Sequence, residues 1–273
     1  MSHIHLHLVS DSTGETVRHV ARACLVQFEG ATATEHVWSM VRDGEEVKAI
    51  VQAALEQPGL ILFTFVDPKL RDVLEDETRR HQVPCVPVLD PVISAFVSHI
   101  GAEFYAEPGR QHVMDAEYFL RIEAMNFALA HDDGQMTRDL DKAEIILVGV
   151  SRTSKTPTSM YIANRGIRTA NVPIVPGCPL PPELFEAKNP LIVGLIKDPK
   201  RLVQVRRQRL KFLNQDDETD YTNPEMVTKE IHEATRLYMK HGWPMIDVTR
   251  KSIEESAATI LQHHQRKLAD GIA

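Results

Sequence analysis

One run of residues in this chain is suited to phosphate chemistry: Gly149-Val150-Ser151-Arg152-Thr153-Ser154-Lys155-Thr156. Its spacing is that of G-x-x-x-x-G-K-[ST], with Ser154 standing where the second glycine is expected. Such a loop turns backbone N–H groups inward to hold phosphate oxygens. It also supplies a lysine that reaches the terminal phosphates and a hydroxyl where Mg²⁺ binds. Lys155 and Thr156 fill those two roles, and Arg152 adds a cation or is a solvated loop arginine. Pro157 fits the first turn of a following helix, where its missing N–H costs little. A chance match on a strand-to-helix turn is the competing explanation, and Ser154 favours it, because serine adopts φ > 0 less readily than glycine. The agreement of strand, loop, Lys-Thr pair and helix start favours phosphate binding.

Other groups have weaker claims. Val9-Ser10-Asp11-Ser12-Thr13-Gly14-Glu15-Thr16 is a second strand-loop-helix junction, rich in hydroxyls. It could cradle a phosphate, with Asp11 as proton acceptor or metal ligand. Helix capping by Ser12 or Thr13 explains the same letters more simply. In Pro108-Gly109-Arg110-Gln111-His112-Val113-Met114-Asp115, His112 and Asp115 could act as base and orienter, against a plain loop histidine beside a helix cap. His3, His5 and His7 share one strand face, where solvated or satisfied imidazoles are commoner than a metal site. Asp198 and Asp247 end apolar runs and could support Mg²⁺, or serve as turn and cap residues. Arg201, Arg206, Arg207, Arg209 and Lys211 cluster on one helix, which reads first as a solvated face.

These residues need elements to position them. Short β-rich runs at 4–9, 36–40, 60–65 and 84–89 alternate with helical stretches at 15–28, 45–57, 70–81 and 92–100, the pattern of βαβ units and a parallel sheet. A helix over 116–130 follows, and the polar stretch 131–135 is the expected domain boundary. The pattern then restarts: strands at 144–150, 172–175, 191–196 and 245–248, helices at 156–165, 200–213 and 224–241, and a capping box at Ser252-Ile253-Glu254-Glu255. The expectation is an α/β protein of two domains, 1–134 and 135–273, the second a P-loop-kinase-like parallel sheet flanked by helices.

Composition narrows the class. The 273 residues are 43% hydrophobic and 25% charged, as in ordinary globular proteins, with a formal net charge of -7. That balance argues against a broad nucleic-acid-binding face. Cys24, Cys85 and Cys178 are scattered, which suits a reduced compartment and suggests neither disulfides nor zinc. The N-terminus lacks the basic start and apolar core of a signal peptide, and no apolar run is long enough to span a bilayer. A cytoplasmic location with no membrane partner is expected.

Taken in order along the whole chain, these segments resemble the bifunctional regulatory proteins of pyruvate, phosphate dikinase and phosphoenolpyruvate synthase. The resemblance rests on residues 10–16, Pro108-Gly109-Arg110-Gln111-His112, residues 118–125, His131-Asp132-Asp133-Gly134 and residues 149–157. Ala170-Asn171-Val172-Pro173, Ile246-Asp247-Val248-Thr249 and residues 252–255 complete it. The start Ser10–Thr16 and the Ser154-Lys155-Thr156 form of the loop resemble the dikinase branch, so the serine is a branch marker.

The resemblance implies an ADP-dependent serine/threonine kinase that moves the β-phosphoryl group to a dikinase threonine and releases AMP. It also implies a phosphorylase in which inorganic phosphate removes that group as pyrophosphate. Residues 149–156 are then the ADP site, Mg²⁺ is expected near Thr156, and Lys155, Asp11 and His112 are the catalytic candidates. The implied partner is pyruvate, phosphate dikinase, and a homodimer is left open. Two rival readings stand beside it: a P-loop small-molecule kinase using ATP, and a nucleotide-sensing module without turnover.

Overall fold

The computed structural model describes residues 3–101, 104–110, 116–215 and 219–271. The chain divides into two compact units, Met1–Val113 and Met114–Ala273. The first contains β1 (His3–Ser10), α1 (Glu15–Leu25), β2 (Thr32–Trp38), α2 (Gly44–Glu56), β3 (Gly59–Thr64), α3 (Pro68–His81), β4 (Cys85–Pro87) and α4 (Asp90–Ile100). The second contains α5 (Ala116–Ala130), β5 (Ile145–Val150), α6 (Lys155–Ala163), β6 (Thr169–Ile174), α7 (Pro182–Glu186) and β7 (Leu191–Ile196). It continues with α8 (Pro199–Phe212), α9 (Pro224–His241), β8 (Met245–Asp247) and α10 (Ile253–Ala269).

Among the described residues each unit holds one four-stranded sheet, ordered β2-β1-β3-β4 in the first and β6-β5-β7-β8 in the second. All pairings are parallel. In both sheets the first strand of the unit lies inside, between the second and the third. In the first unit, Leu6 and Leu8 of β1 pack with Val17 and Ala21 of α1 on one face. Val9, Ile61 and Phe63 pack with α2 and α3 on the other. β5 is buried along its whole length, as a strand covered by helices on both faces must be. Gly194 of β7 is required by close approach: a Cβ there would lie 2.4 Å from the Tyr238 ring of α9. The Tyr238 hydroxyl donates to the Val148 carbonyl at 3.1 Å, tying α9 to the strand that leads into the loop.

The α/β reading with two parallel, helix-flanked sheets holds. The stretch 131–135, expected between domains, lies inside the second unit. The reason is α5, whose Ala124 and Ala128 pack against Ala163 of α6. Strand β2 begins at Thr32, where the reading expected 36, and pairs in register with β1 from His3 onward. The final capping box forms as expected: the Ser252 N–H donates to Glu255 Oε2 at 2.8 Å and the Glu255 N–H to Ser252 Oγ at 3.1 Å. Among the described residues, no helix is long and apolar enough to cross a membrane.

Candidate functional site

The loop between β5 and α6 is shaped by three local constraints. A Cβ at Gly149 would sit 2.7 Å from Thr153 Oγ1 and 3.1 Å from the Leu195 carbonyl, so the loop folds back closely enough to require glycine. Thr153, fully buried, donates to the Val150 carbonyl at 2.8 Å and closes the turn. Arg152 and Ser154 take positive φ, 70° and 64°. Ser154 therefore adopts the left-handed conformation that glycine serves in the parent motif. It is also the N-cap of α6 and makes no side-chain capping bond. The amide groups that open this helix thus remain available to an anion.

Lys155 is the buried cation of the site, 5% exposed, and its ammonium donates to the Val150 carbonyl at 3.3 Å. Burial lowers its pKa to about 8, opposed in part by the carboxylates of Asp133 and Asp132. The Thr156 hydroxyl donates to Asp132 Oδ1 at 2.8 Å. Asn171 Nδ2 donates to the same oxygen, and Asn171 Oδ1 accepts the Asp133 N–H at 3.0 Å. Asp133 has φ 47° and Gly134 φ 72°, a left-handed pair that turns the chain sharply after α5. His131 anchors this turn from below: it is buried, stacks on Phe127 at 3.8 Å, and its Nδ1 lies 2.8 Å from the Phe127 carbonyl.

The result is a cavity of about 330 Å³ lined by Asp133, Arg152, Ser154, Lys155, Thr156 and Lys197, among others. Lys197 also donates to the Arg152 carbonyl at 3.1 Å. Asp132 is occupied by its two donors, whereas the exposed Asp133 carboxylate accepts no hydrogen bond from the described residues. Cations, a hydroxyl and two carboxylates thus meet at the carboxyl end of β5, where open parallel sheets bind ligands. The oxygen donors of Thr156 and Asp132 form a hard set suited to Mg²⁺.

Asp198 and Asp247 fill structural roles. Asp198 caps α8 through the Arg201 N–H at 3.0 Å, and Asp247 accepts the Thr249 N–H at 2.8 Å. Both line a neighbouring cavity of about 930 Å³ with Lys200, Arg201, Arg250 and Lys251. Asp11 lies in the first unit, where its Oδ2 accepts the N–H groups of Val66 at 2.7 Å and Asp67 at 3.1 Å. The expected Ser12 or Thr13 cap is replaced by Gly14, which caps α1 with φ 81° and no side-chain bond. His112 and Asp115 lie outside the described residues. His3 bonds to Thr32 and Thr34, His5 to His36, and His7 through Nε2 to the Gln57 carbonyl, its buried Nδ1 having no partner among the described residues. Among the described residues no group of His, Cys, Asp and Glu is arranged to hold a metal by itself.

The 149–156 loop, with its buried lysine and acidic neighbours, belongs to a chain with recognisable relatives. The model of the family described as kinase/pyrophosphorylase matches residues 6–261. The chain belongs to this family. Relatives named, provisionally, as pyruvate, phosphate dikinase regulatory proteins cover almost all of it. The protein of Paramagnetospirillum magneticum is 54% identical over 98% of this chain and 86% of its own length. That of Erythrobacter litoralis is 49% identical, covering 98% and 97%. That of Rhodospirillum rubrum is 51% identical, covering 94% of each. In this chain Asp132 and Asp133, which in the sequence marked only a boundary and the family resemblance, stand at the loop. The signal available was the pairing of His131-Asp132-Asp133-Gly134 with Ala170-Asn171-Val172-Pro173, two marked segments joined in space by Asn171.

Proposed function

We propose that this protein is the bifunctional regulator of pyruvate, phosphate dikinase, and that the Lys155 cavity carries both of its reactions. The observation that carries the reading is the meeting of Lys155, Arg152 and Lys197 with Thr156 and Asp133 around one cavity, with Asp132 joined to it through the Thr156 hydroxyl. Phosphoryl transfer is chiefly positioning and charge neutralisation, and this is a set of groups for both.

In the kinase direction, ADP places its phosphates on the loop amides and Lys155. The oxygen of a dikinase threonine attacks the β-phosphorus, the bond to the bridging oxygen breaks, and AMP leaves. Asp133, whose carboxylate accepts no hydrogen bond from the described residues, takes the threonine proton. In the phosphorylase direction an oxygen of inorganic phosphate attacks the phosphothreonine phosphorus. The bond to the threonine oxygen breaks, Asp133 relays the proton of the attacking hydrogenphosphate to that oxygen, and pyrophosphate leaves. Mg²⁺ held by Thr156 and Asp132 would supply charge neutralisation on the phosphate oxygens. A single carboxylate serves both directions because one forms and the other breaks the bond from threonine oxygen to phosphorus, with the proton leaving or returning to that oxygen.

The test is incubation with purified, active dikinase and labelled ADP, assayed for AMP and phosphothreonine, then addition of inorganic phosphate and assay for pyrophosphate. Neither product appearing sinks the reading, and transfer only from ATP to a small acceptor would establish the rival kinase. Lys155→Ala is expected to lose both activities; full phosphorylase activity in that variant would separate the two sites.

A further inference from the structure

Arg206 stands apart from its basic neighbours on α8. Arg207 and Arg209 are exposed, whereas Arg206 is 1% exposed and forms an ion pair with Glu230 of α9 at 2.7 Å. Its guanidinium lies 4.4 Å from the centre of the Tyr221 ring and donates to the Tyr221 carbonyl at 3.0 Å. It also donates to the carbonyl of Ser151, inside the phosphate loop, at 3.3 Å. The Tyr221 hydroxyl lies 3.0 Å from Ser151 Oγ. One loop residue is thus held at its backbone by Arg206 and at its side chain by Tyr221, neither of which lines the cavity.

We propose that Arg206 and Tyr221 form a positioning bracket that sets the phosphate loop in its ligand-ready shape through Ser151. A buried ion pair is poor evidence of stabilisation, because desolvation offsets its attraction and an apolar pair of similar volume often does as well. Here the arginine also leaves its buried Nε without a hydrogen-bond partner among the described residues. What the pair delivers is a fixed donor aimed at Ser151. The charge reaches further: Arg206 and Arg152 oppose protonation of Lys155, while Asp132 and Asp133 favour it. The bracket therefore sets loop geometry and contributes to the potential at the lysine. It acts through Ser151 and is distinct from the groups that meet phosphate.

The inference rests on the Lys155 cavity being the nucleotide site, so its test includes a measurement that needs no nucleotide. In the full chain, Tyr221→Phe keeps the ring under Arg206 and removes only the hydroxyl. The double variant Arg206→Met with Glu230→Leu removes the pair together. Hydrogen exchange of amides 151–156 in the ligand-free protein should quicken in both variants. ADP should bind roughly 2- to 10-fold more weakly to Tyr221→Phe, the effect of one neutral hydrogen bond. It should bind weaker still to the double variant. Unchanged loop exchange in Tyr221→Phe together with ADP binding within about twofold of wild type overturns the bracket. Wild-type protein that fails to bind ADP overturns the nucleotide reading, while loop exchange still decides the bracket.

Discussion

The two sheets share one strand order, and each sends a loop from its inner first strand to a helix, yet the two loops carry different chemistry. Val9 to Thr16 in the first unit and Gly149 to Thr156 in the second have equal length and end at the same point of a helix start. The residue before each helix is left-handed: Gly14 at φ 81° and Ser154 at φ 64°. The next residue is Glu15 in one and Lys155 in the other. The first loop has the glycine that the motif asks for and lacks its lysine; the second has the lysine and lacks the glycine. Backbone shape is therefore achieved by either residue at some cost, while the buried cation has no substitute. Charge, more than the glycine, separates the two loops.

The largest expected effect breaks that distinction. Lys155→Met should lower phosphoryl transfer to the dikinase by roughly 10³-fold or more, the scale of losing a buried group that stabilises developing charge. Gly14→Ser in the other loop should cost far less. A quantitative assay of AMP release compares the two directly; similar losses would mean that charge is not what separates the loops. Asp133→Asn follows, with a loss of roughly 10² to 10⁴-fold at neutral pH as expected for a removed general base, and little change in ADP affinity. Asp132→Asn should instead raise the Mg²⁺ concentration needed for half-maximal activity. If the two variants behave alike, the division of labour between the carboxylates is wrong.

Lys155 also couples stability to pH. Its pKa is lowered to about 8 in the folded chain, from an ordinary value of 10.5. Between those values the unfolded chain binds more protons, so stability of the ligand-free protein should rise with pH through that window. Below about pH 8 the buried ammonium costs stability, up to about 3 kcal/mol for a shift of this size. Lys155→Met should accordingly be more stable than wild type at pH 7, with the gap closing by pH 10 in denaturant melts. Phosphate binding needs the charged form, so ADP affinity should fall about tenfold per pH unit well above 8. A flat affinity profile from pH 7 to 10 would show that the lysine is not desolvated as its burial requires.

Legibility from the sequence followed the range of the interactions. β7 at 191–196 and α9 at 224–241 have the bounds expected of them, because a continuous apolar run and a proline start with a glycine stop are local signals. The 149–156 loop was legible for the same reason. Asp132 and Asp133 were not, since they reach the loop only through the turn after α5 and a bond from Asn171, 39 residues away. Arg206 was submerged in a run of cations, although its position was marked. Leu202, Val203, Arg206 and Leu210 form the buried stripe of α8, and an arginine on an apolar stripe signals a burial task.

The smallest effect sharpens the comparison at its other half. Exchanging the two N-cap residues, Ser154→Gly and Gly14→Ser, should move stability in opposite directions. A left-handed L-residue costs roughly 1–2 kcal/mol against glycine's freedom, part of which glycine loses again through its more flexible unfolded chain. Ser154→Gly should therefore stabilise by about 1 kcal/mol. Gly14→Ser should destabilise by a similar amount; the nearest atom to a new Cβ there is 3.8 Å away, so strain in φ is the whole cost. Neither exchange alters a charge, so transfer activity should change by less than about fivefold in Ser154→Gly. A large activity loss in that variant, with stability gained, would show that the serine hydroxyl itself touches the nucleotide. The branch marker would then be a functional group of the site, not a tolerated departure from glycine.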